Sequence, residues 1–451
     1  MEGRGRFGSR IGVILASAGS AVGLGNIWRF PTEVGRNGGA AFILVYVGFV
    51  LFLALPVMVS EFVIGRASKS NTVDAYRTLA PRTPWVVAGF MGVLAGFLVL
   101  SFYSVVAGWT MHYAVSSLLC RLSAGHDFGA EFNAFIAHPL LPIGYLAAFL
   151  LLTHMVVARG VQEGIERYSK WMMPLLFIII LVLVGCSLNM PGAGDGLRFL
   201  LRPDFSKVTW PVVLSAIGQA FFSLSVGIGC MITYASYFGS SMRLAPSAMH
   251  VCLIDTLVAV TSGFIIFPAV FSVPGLSVDA GPGLVFITLP NVFNAAFAHI
   301  PAVGYVFSLL FYVLLLLAAL TSSISMHEIC TAFIHEKHGL SRSRAAWVVT
   351  LLCFMGGALC ALSFGSLRGL TIHGMGFFAL FDYLTAKFFM PLGGILITLF
   401  VGWRMQRSQV MEELTNGGTC SRIVARLLFF LIRWVAPLGV CIIFINGLRG
   451  E

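Results

Sequence analysis

Apolar residues run along the chain in unbroken stretches about 20 residues long, separated by short segments where charges, Gly, Pro, Asn and Asp collect. The stretches lack the period of two that a barrel strand requires. Lipid leaves backbone N–H and C=O groups without water, so only helices or closed barrels can span it. The pattern predicts an all-α polytopic membrane protein. About 11 spans can be placed, with approximate limits Ile11 to Phe30, Ala40 to Ile64, Trp85 to Leu119, Pro142 to Ala158, Trp171 to Met190 and Thr209 to Phe238. His250 to Val273, Pro301 to Ile334, Ala345 to Phe364, Met375 to Trp403 and Leu427 to Leu448 complete them. The segments Arg198 to Lys207 and Ser277 to His299 are the longest outer connections expected.

Composition removes the soluble alternatives. Hydrophobic residues make up 58% of the chain and charged residues 10%, too few charges for a water-facing surface. A net charge of +10 raises the question of nucleic acid, but the basic residues follow membrane topology. With the N terminus in the cytoplasm, about 19 of the 28 Lys and Arg fall in inner loops and helix ends, among them Arg4, Arg66, Arg159, Arg342, Arg404, Arg422, Arg426 and Arg433. This predicts a multi-pass protein of the cell's inner (cytoplasmic) membrane, surrounded by lipid, with the C terminus outside and no nucleic-acid partner. The first apolar run continues into a span, so no cleavable leader is expected. The nine cysteines are scattered without C-x-x-C spacing and are expected as buried free thiols.

Two spans carry matching interruptions. Ala21-Val22-Gly23-Leu24-Gly25 in the first answers Ser225-Val226-Gly227-Ile228-Gly229 in the sixth. Each Gly weakens a helix by roughly 1 kcal/mol relative to Ala, and corresponding breaks in two halves of a membrane protein point to an internal repeat with a binding site at its centre. Opened helices expose carbonyls that suit a hard cation such as sodium, and N-terminal half-helix ends that favour a carboxylate. Asn26, Ser223, Ser225 and the intramembrane Asp255 lie near these breaks. In the eighth span Ala318, Thr321 and Ser322 share one helical face. Enzymatic chemistry finds little support: His327-Glu328 opens an H-E-x-x-H pattern, but Thr331 stands where its second histidine belongs.

The run Gly19 to Pro31, followed by Asn37-Gly38-Gly39-Ala40, resembles the neurotransmitter:sodium symporter family. Gly218 to Ser225, Ile232 to Tyr237 and Leu320 to Ser323 add matches in the same order. The resemblance extends from Phe7 to about Pro437 and implies a leucine-transporter-type fold, a 5+5 inverted repeat with broken helices 1 and 6, which follows from the family. It divides residues 1–451 into a first inverted repeat at 7–190 (helices 1–5), a second at 209–403 (helices 6–10) and an extra helix 11 at 427–448.

What the resemblance implies can be placed residue by residue. A first sodium site would take the carbonyl of Ala21, Asn26, Ser223, Asp255 and the substrate carboxylate. A second would take the carbonyls of Gly19, Val22 and Ala318 with the hydroxyls of Thr321 and Ser322. The substrate would lie among Ala21, Gly23, Gly25, Val99, Tyr103, Phe222, Ser223, Ser225, Gly227, Ile228, Ser322 and Met326, with Phe222 as a lid. Arg29 and Asp382 resemble the outer gate, and Arg4, Phe7, Tyr237 and Glu336 the inner one. Phe7 replaces the family's usual inner-gate tryptophan, and Glu336 is a methylene longer than the usual aspartate. Gly164 and Pro174 resemble an element at which the fifth helix can unwind.

These features imply sodium-coupled symport of an amino acid by alternating access. Gly23 stands where amine-transporting relatives hold an aspartate, and the apolar walls favour a hydrophobic side chain, branched or aromatic. Chloride is not expected. The positions that hold it in animal relatives read Tyr46, Gln219, Ser223, Ala259 and Asp255, with a carboxylate in place of an asparagine. An amino-acid sensor without productive transport is the alternative.

Overall fold

The computed structural model describes residues 5–122, 127–273, 283–297 and 299–449. Its first predicted span is a bent pair, α1 (Arg10–Ala21) and α2 (Gly25–Arg36), meeting at 56°. Then follow α3 (Ala40–Ser68), the short α4 (Thr72–Leu79), α5 (Val86–Leu118), α6 (Phe128–Ala137), α7 (Leu141–Ala158), α8 (Val161–Ser187) and α9 (Ala193–Leu201). The sixth predicted span is split into α10 (Trp210–Ser223) and α11 (Cys230–Ala235). The second half continues with α12 (Leu244–Phe271), α13 (Leu284–Ala296), α14 (Pro301–His338), α15 (Arg342–Leu362), α16 (Phe377–Arg404), α17 (Arg407–Thr415) and α18 (Arg422–Leu448). Among the described residues, nine helices are long and apolar enough to cross a membrane and the bent pair makes a tenth. The split sixth span accounts for the eleventh position.

Local chemistry explains the helix ends. Ser9 caps α1 by accepting the Gly12 N–H at 3.0 Å, and Asn71 caps α4 by accepting those of Val73 and Asp74, both at 3.0 Å. The long helices need little amphipathic patterning because their other solvent is lipid. Exposed Leu44, Phe52, Leu181, Leu257 and Leu438 face outward, while the broken helices lie innermost, with Val22, Ile27, Leu224 and Val226 fully or almost fully buried. Around them α12, α14 and α8 pack on α1, and α3 packs on α10 and α11.

Four sequence expectations change. The fifth span begins at Val161 and not Trp171, and its first turn, Val161–Glu166, is a π-helix. The charges Glu163, Glu166, Arg167 and Lys170 ended the apolar run but not the helix. The expected outer connection from Ser277 to His299 contains α13, whose Leu289, Val292 and Phe293 are buried. Likewise α9 reaches to Leu201, inside the other expected connection. The nine cysteines are free, five of them buried, whereas Cys120 is exposed and Cys186, Cys420 and Cys441 are partly so.

Candidate functional site

At the first break the backbone of Val22 turns out of the helix to ψ 114°. The carbonyls of Gly19 and Val22 then face α14 instead of the next turn. Thr321 Oγ1 donates to Ala318 O at 3.0 Å and approaches Val22 O at 3.3 Å. Ser322 Oγ donates to Val22 O at 2.8 Å, with Gly19 O at 3.4 Å. Three carbonyls and two hydroxyls, drawn from helices 300 positions apart in sequence, thus converge in one buried place. The set contains oxygen alone, the donor chemistry of a hard cation.

A second cluster surrounds Asp255, which is fully buried on α12. Asn26 Nδ2 donates to Asp255 Oδ1 at 2.7 Å and to Ser223 Oγ at 3.1 Å, and Ser223 Oγ donates to Asp255 Oδ2 at 2.7 Å. Tyr46 OH donates to Ser223 Oγ at 3.2 Å. Asn26 Oδ1 accepts the Gly23 N–H at 2.9 Å, which ties this cluster to the first break. Among the described residues no Lys or Arg pairs with Asp255. Gln219, also buried, has neither its Oε1 nor its Nε2 hydrogen-bonded.

The second break, Leu224 to Gly229, depends on left-handed backbone. Ser225, Gly227 and Gly229 have φ of 50°, 91° and 87°, and a β-carbon at Gly227 would strike the Met390 carbonyl. The freed N–H groups of Gly227 and Met231 donate to Glu61, Oε1 at 2.7 Å and Oε2 at 3.1 Å. Glu61 is fully buried on α3. Sequence reading passed over it, although a carboxylate inside the Ala40 to Ile64 run was the available signal.

Between the breaks lies a pocket lined by Ala21, Gly23, Gly25, Val99, Tyr103, Phe222, Ser223, Ser225, Ile228, Ser322 and Met326. These include nearly all the residues expected to line it. Asn26, Leu24, Phe102, Thr385 and Met390 complete the wall, and of these Leu24, Phe102, Thr385 and Met390 were not foreseen. Gly227 is absent from the wall; its backbone faces Glu61 and Met390. Tyr103 OH accepts the Leu24 N–H at 3.1 Å. A β-carbon at Gly23 would stand 2.6 Å from Ser322 Oγ and 2.9 Å from Tyr103 OH, and one at Gly25 would stand 2.8 Å from the Phe222 ring. Neither glycine can carry a side chain without displacing the walls.

On one side of the pocket the Arg29 guanidinium lies 3.8 Å above the centre of the Phe222 ring. Arg29 and Asp382 come no closer than an ion pair's 4 Å limit, so the expected outer pair is not a direct one. On the other side Phe7 packs edge-on against Tyr234 and Tyr237, with ring centres 5.9 and 6.3 Å apart, and its N–H donates to Tyr237 O at 3.3 Å. Tyr237 OH donates to Glu328 Oε1 at 2.7 Å, and Arg342 donates to the same carboxylate at 3.1 and 2.5 Å. Arg342 Nε also donates to Val157 O at 3.0 Å, at the end of α7. Glu336 accepts from the backbone and side chain of Asn71 at 3.1 and 2.9 Å. Arg4 lies outside the described residues. Sequence reading met Glu328 only inside a failed zinc pattern, and the structure makes it the carboxylate that Tyr237 touches.

A family model described as the sodium:neurotransmitter symporter family matches residues 4–133 and 142–449. A sodium-dependent transporter of Bacillus subtilis is 41% identical over 443 residues, covering 98% of this chain and 97% of that protein. The sodium- and chloride-dependent taurine transporter of Bos taurus is 27% identical over 435 residues, covering 85% of this chain and 68% of that protein. The crystal structure of MhsT in complex with L-phenylalanine superposes with a TM-score of 0.89 at 42% identity, over 99% of this chain and 100% of that one. The fold expectation therefore holds, and the chain belongs to the sodium:neurotransmitter symporter family, whose members are membrane transporters and not enzymes.

Proposed function

We propose that this transporter couples the inward movement of sodium to uptake of a hydrophobic L-amino acid, branched or aromatic, and does so without chloride. The observation that carries the reading is the meeting of two oxygen clusters with one pocket at paired helix breaks. The Gly19, Val22, Ala318, Thr321 and Ser322 oxygens form one sodium site, and Ala21, Asn26, Ser223 and Asp255 contribute to the other. The buried charge of Asp255, with hydroxyl and amide donors but no cationic side chain, is balanced by a sodium ion. The substrate carboxylate sits beside that ion and the Tyr103 hydroxyl, close to the half-helix ends at Gly23 and Gly25.

Val99, Phe102, Phe222, Ile228, Met326 and Met390 leave no partner for a charged side chain. Met326 and Met390 adapt to both branched and aromatic shapes. The L-phenylalanine bound in the similar MhsT structure supports this class. Chloride is excluded by Asp255, since two negative charges repel by about 4 kcal/mol at roughly 4 Å and an effective dielectric of about 20. Ala259 also withholds a hydroxyl from the same neighbourhood.

Alternating access follows from the two ends of the pocket. Arg29 over Phe222, with Asp382 nearby, closes the outer side, and Phe7, Tyr237, Glu328, Arg342 and Glu336 close the inner side. Residues 7–190 and 209–403 act as the two inverted halves, with the N terminus cytoplasmic in the inner membrane and the C terminus outside. The test is sodium-driven uptake into vesicles, challenged with each of the twenty amino acids. Competition confined to branched and aromatic residues is expected, and competition by charged or small polar ones would refute the substrate class.

A further inference from the structure

Arg433 has no role in the transport reading, and its surroundings are unusual. It lies inside the apolar helix α18, yet among the described residues its guanidinium meets no carboxylate. The Cζ atom stands 4.5 Å from the ring centre of Trp403, at the end of α16, and 5.7 Å from that of Trp434. The two indoles meet edge to face with centres 4.7 Å apart, and Trp403 Nε1 donates to Arg433 O at 3.0 Å. Arg433 Nε is buried with no hydrogen-bond partner. Gly402 permits the arrangement, because a β-carbon there would stand 2.9 Å from Arg433 Cα. Both helical segments of the site are π-helical turns, Phe400–Arg404 and Leu431–Val435, a wide winding that recurs at functional places.

The surroundings are cationic and lipid-facing. Trp403 and Trp434 are 50% and 44% exposed, and Ile423, Leu427, Phe430 and Leu438 continue the apolar face of α18. Arg404, Arg407, Arg422 and Arg426 are exposed, and among the described residues none of them pairs with a carboxylate. Of the two glutamates among the described residues in this part of the chain, Glu413 pairs with Arg66, and Glu412 is exposed and forms no ion pair with a described residue. An arginine within a span ordinarily has an anionic or polar partner. Stacked on two indoles at the edge of the bilayer, its free N–H edge matches a phosphate diester, which it can hold in a bidentate manner.

We propose that Trp403, Arg433 and Trp434, with Arg404 and Arg407 at the rim, form a headgroup site for one anionic phospholipid of the cytoplasmic leaflet. The phosphate meets the guanidinium, the acyl chains lie along the exposed face of α18, and the neighbouring arginines select a net negative headgroup over a zwitterionic one. The proposal is independent of substrate and ion coupling.

Native mass spectrometry of the full chain released from micelles holding equal phosphatidylglycerol and phosphatidylcholine tests it. The unmodified protein is expected to retain one phosphatidylglycerol, Arg433→Gln to retain at least tenfold less, and Arg433→Lys an intermediate amount. Arg198→Gln, on the opposite side of the molecule, should retain it as the unmodified protein does. Should Arg433→Gln not fold, Trp403→Phe keeps an aromatic wall with a weaker hold on the cation and is expected to lower retention several-fold. Retention by Arg433→Gln or by Trp403→Phe equal to the unmodified protein overturns the site. So does equal stabilisation by inorganic phosphate in a neutral detergent, or a dimer that forms without lipid and is lost in Arg433→Gln.

Discussion

Ser322 and Thr321 show how little a side chain needs to supply when the backbone does the rest. Each brings one hydroxyl to the Val22 carbonyl released by the break in another helix. Hydrogen-bond and ion contacts of this kind to charged groups are worth about 1.5–3 kcal/mol each, so Thr321→Ala with Ser322→Ala should raise the sodium concentration for half-maximal uptake by well over tenfold. A sodium titration of that double variant in vesicles checks this, and an unchanged curve would remove the second ion site. Gly23→Ala should cost substrate affinity at least tenfold while the protein remains folded, since its methyl would crowd Ser322 and Tyr103 at the pocket wall and not in the scaffold; equilibrium binding of labelled amino acid reads it. At this scale Asp255 and Asn26 were legible because a carboxylate or an amide inside an apolar run is costly, whereas Ser223, Thr321 and Ser322, among many buried hydroxyls, stood out only by the neighbouring break or the family resemblance. Glu61 and Glu328 carried the same signal and were passed over, as their partners are backbone N–H groups and a distant arginine that no local spacing reveals.

Helices were legible where lipid writes the rule. Continuous apolar runs located the spans to within a few residues, and V-G-L-G with V-G-I-G marked both breaks. Charge, however, ends a hydropathy run without ending a helix, which is why α8 starts ten residues before its apolar stretch. The buried α13 was read as a connection because the apolar run is too short to span. The break in the sixth span rests on Glu61, whose two oxygens take up donors that the helix has abandoned. Glu61→Ala should leave those N–H groups unsatisfied at about 1–3 kcal/mol apiece, lowering the melting temperature by several degrees, whereas Glu61→Gln, keeping one acceptor, should lower it less. Thermal unfolding in detergent measures the order of the three proteins, and equal melting temperatures would show that the break is held by something else.

Across the whole molecule the two ends of the pocket are closed by different chemistry. At one end an arginine rests on the Phe222 ring, with Asp382 close but not in direct contact; at the other, Glu328 on α14 joins Arg342 at the start of α15 to Tyr237, two residues past α11. Removing Arg342 leaves the buried Glu328 carboxylate without its cation, which is strongly destabilising for the closed inner side. Arg342→Ala is thus expected to raise labelling of a cysteine introduced at Ser325 from the cytoplasmic face and to lower uptake at least tenfold. Asp382→Asn should instead slow uptake several-fold with little change in melting temperature, as a partly exposed charge contributes about 1 kcal/mol or less to stability.

Oxygens at two helix breaks, as proposed, make the movement of a hydrophobic amino acid depend on sodium and on no anion. Uptake of labelled phenylalanine into proteoliposomes under an inward sodium gradient, with chloride replaced by gluconate, addresses it in one assay. Accumulation above the outside concentration that vanishes when potassium replaces sodium, and that gluconate leaves intact, is the expected result. Binding without accumulation, or uptake that collapses in gluconate, would contradict it.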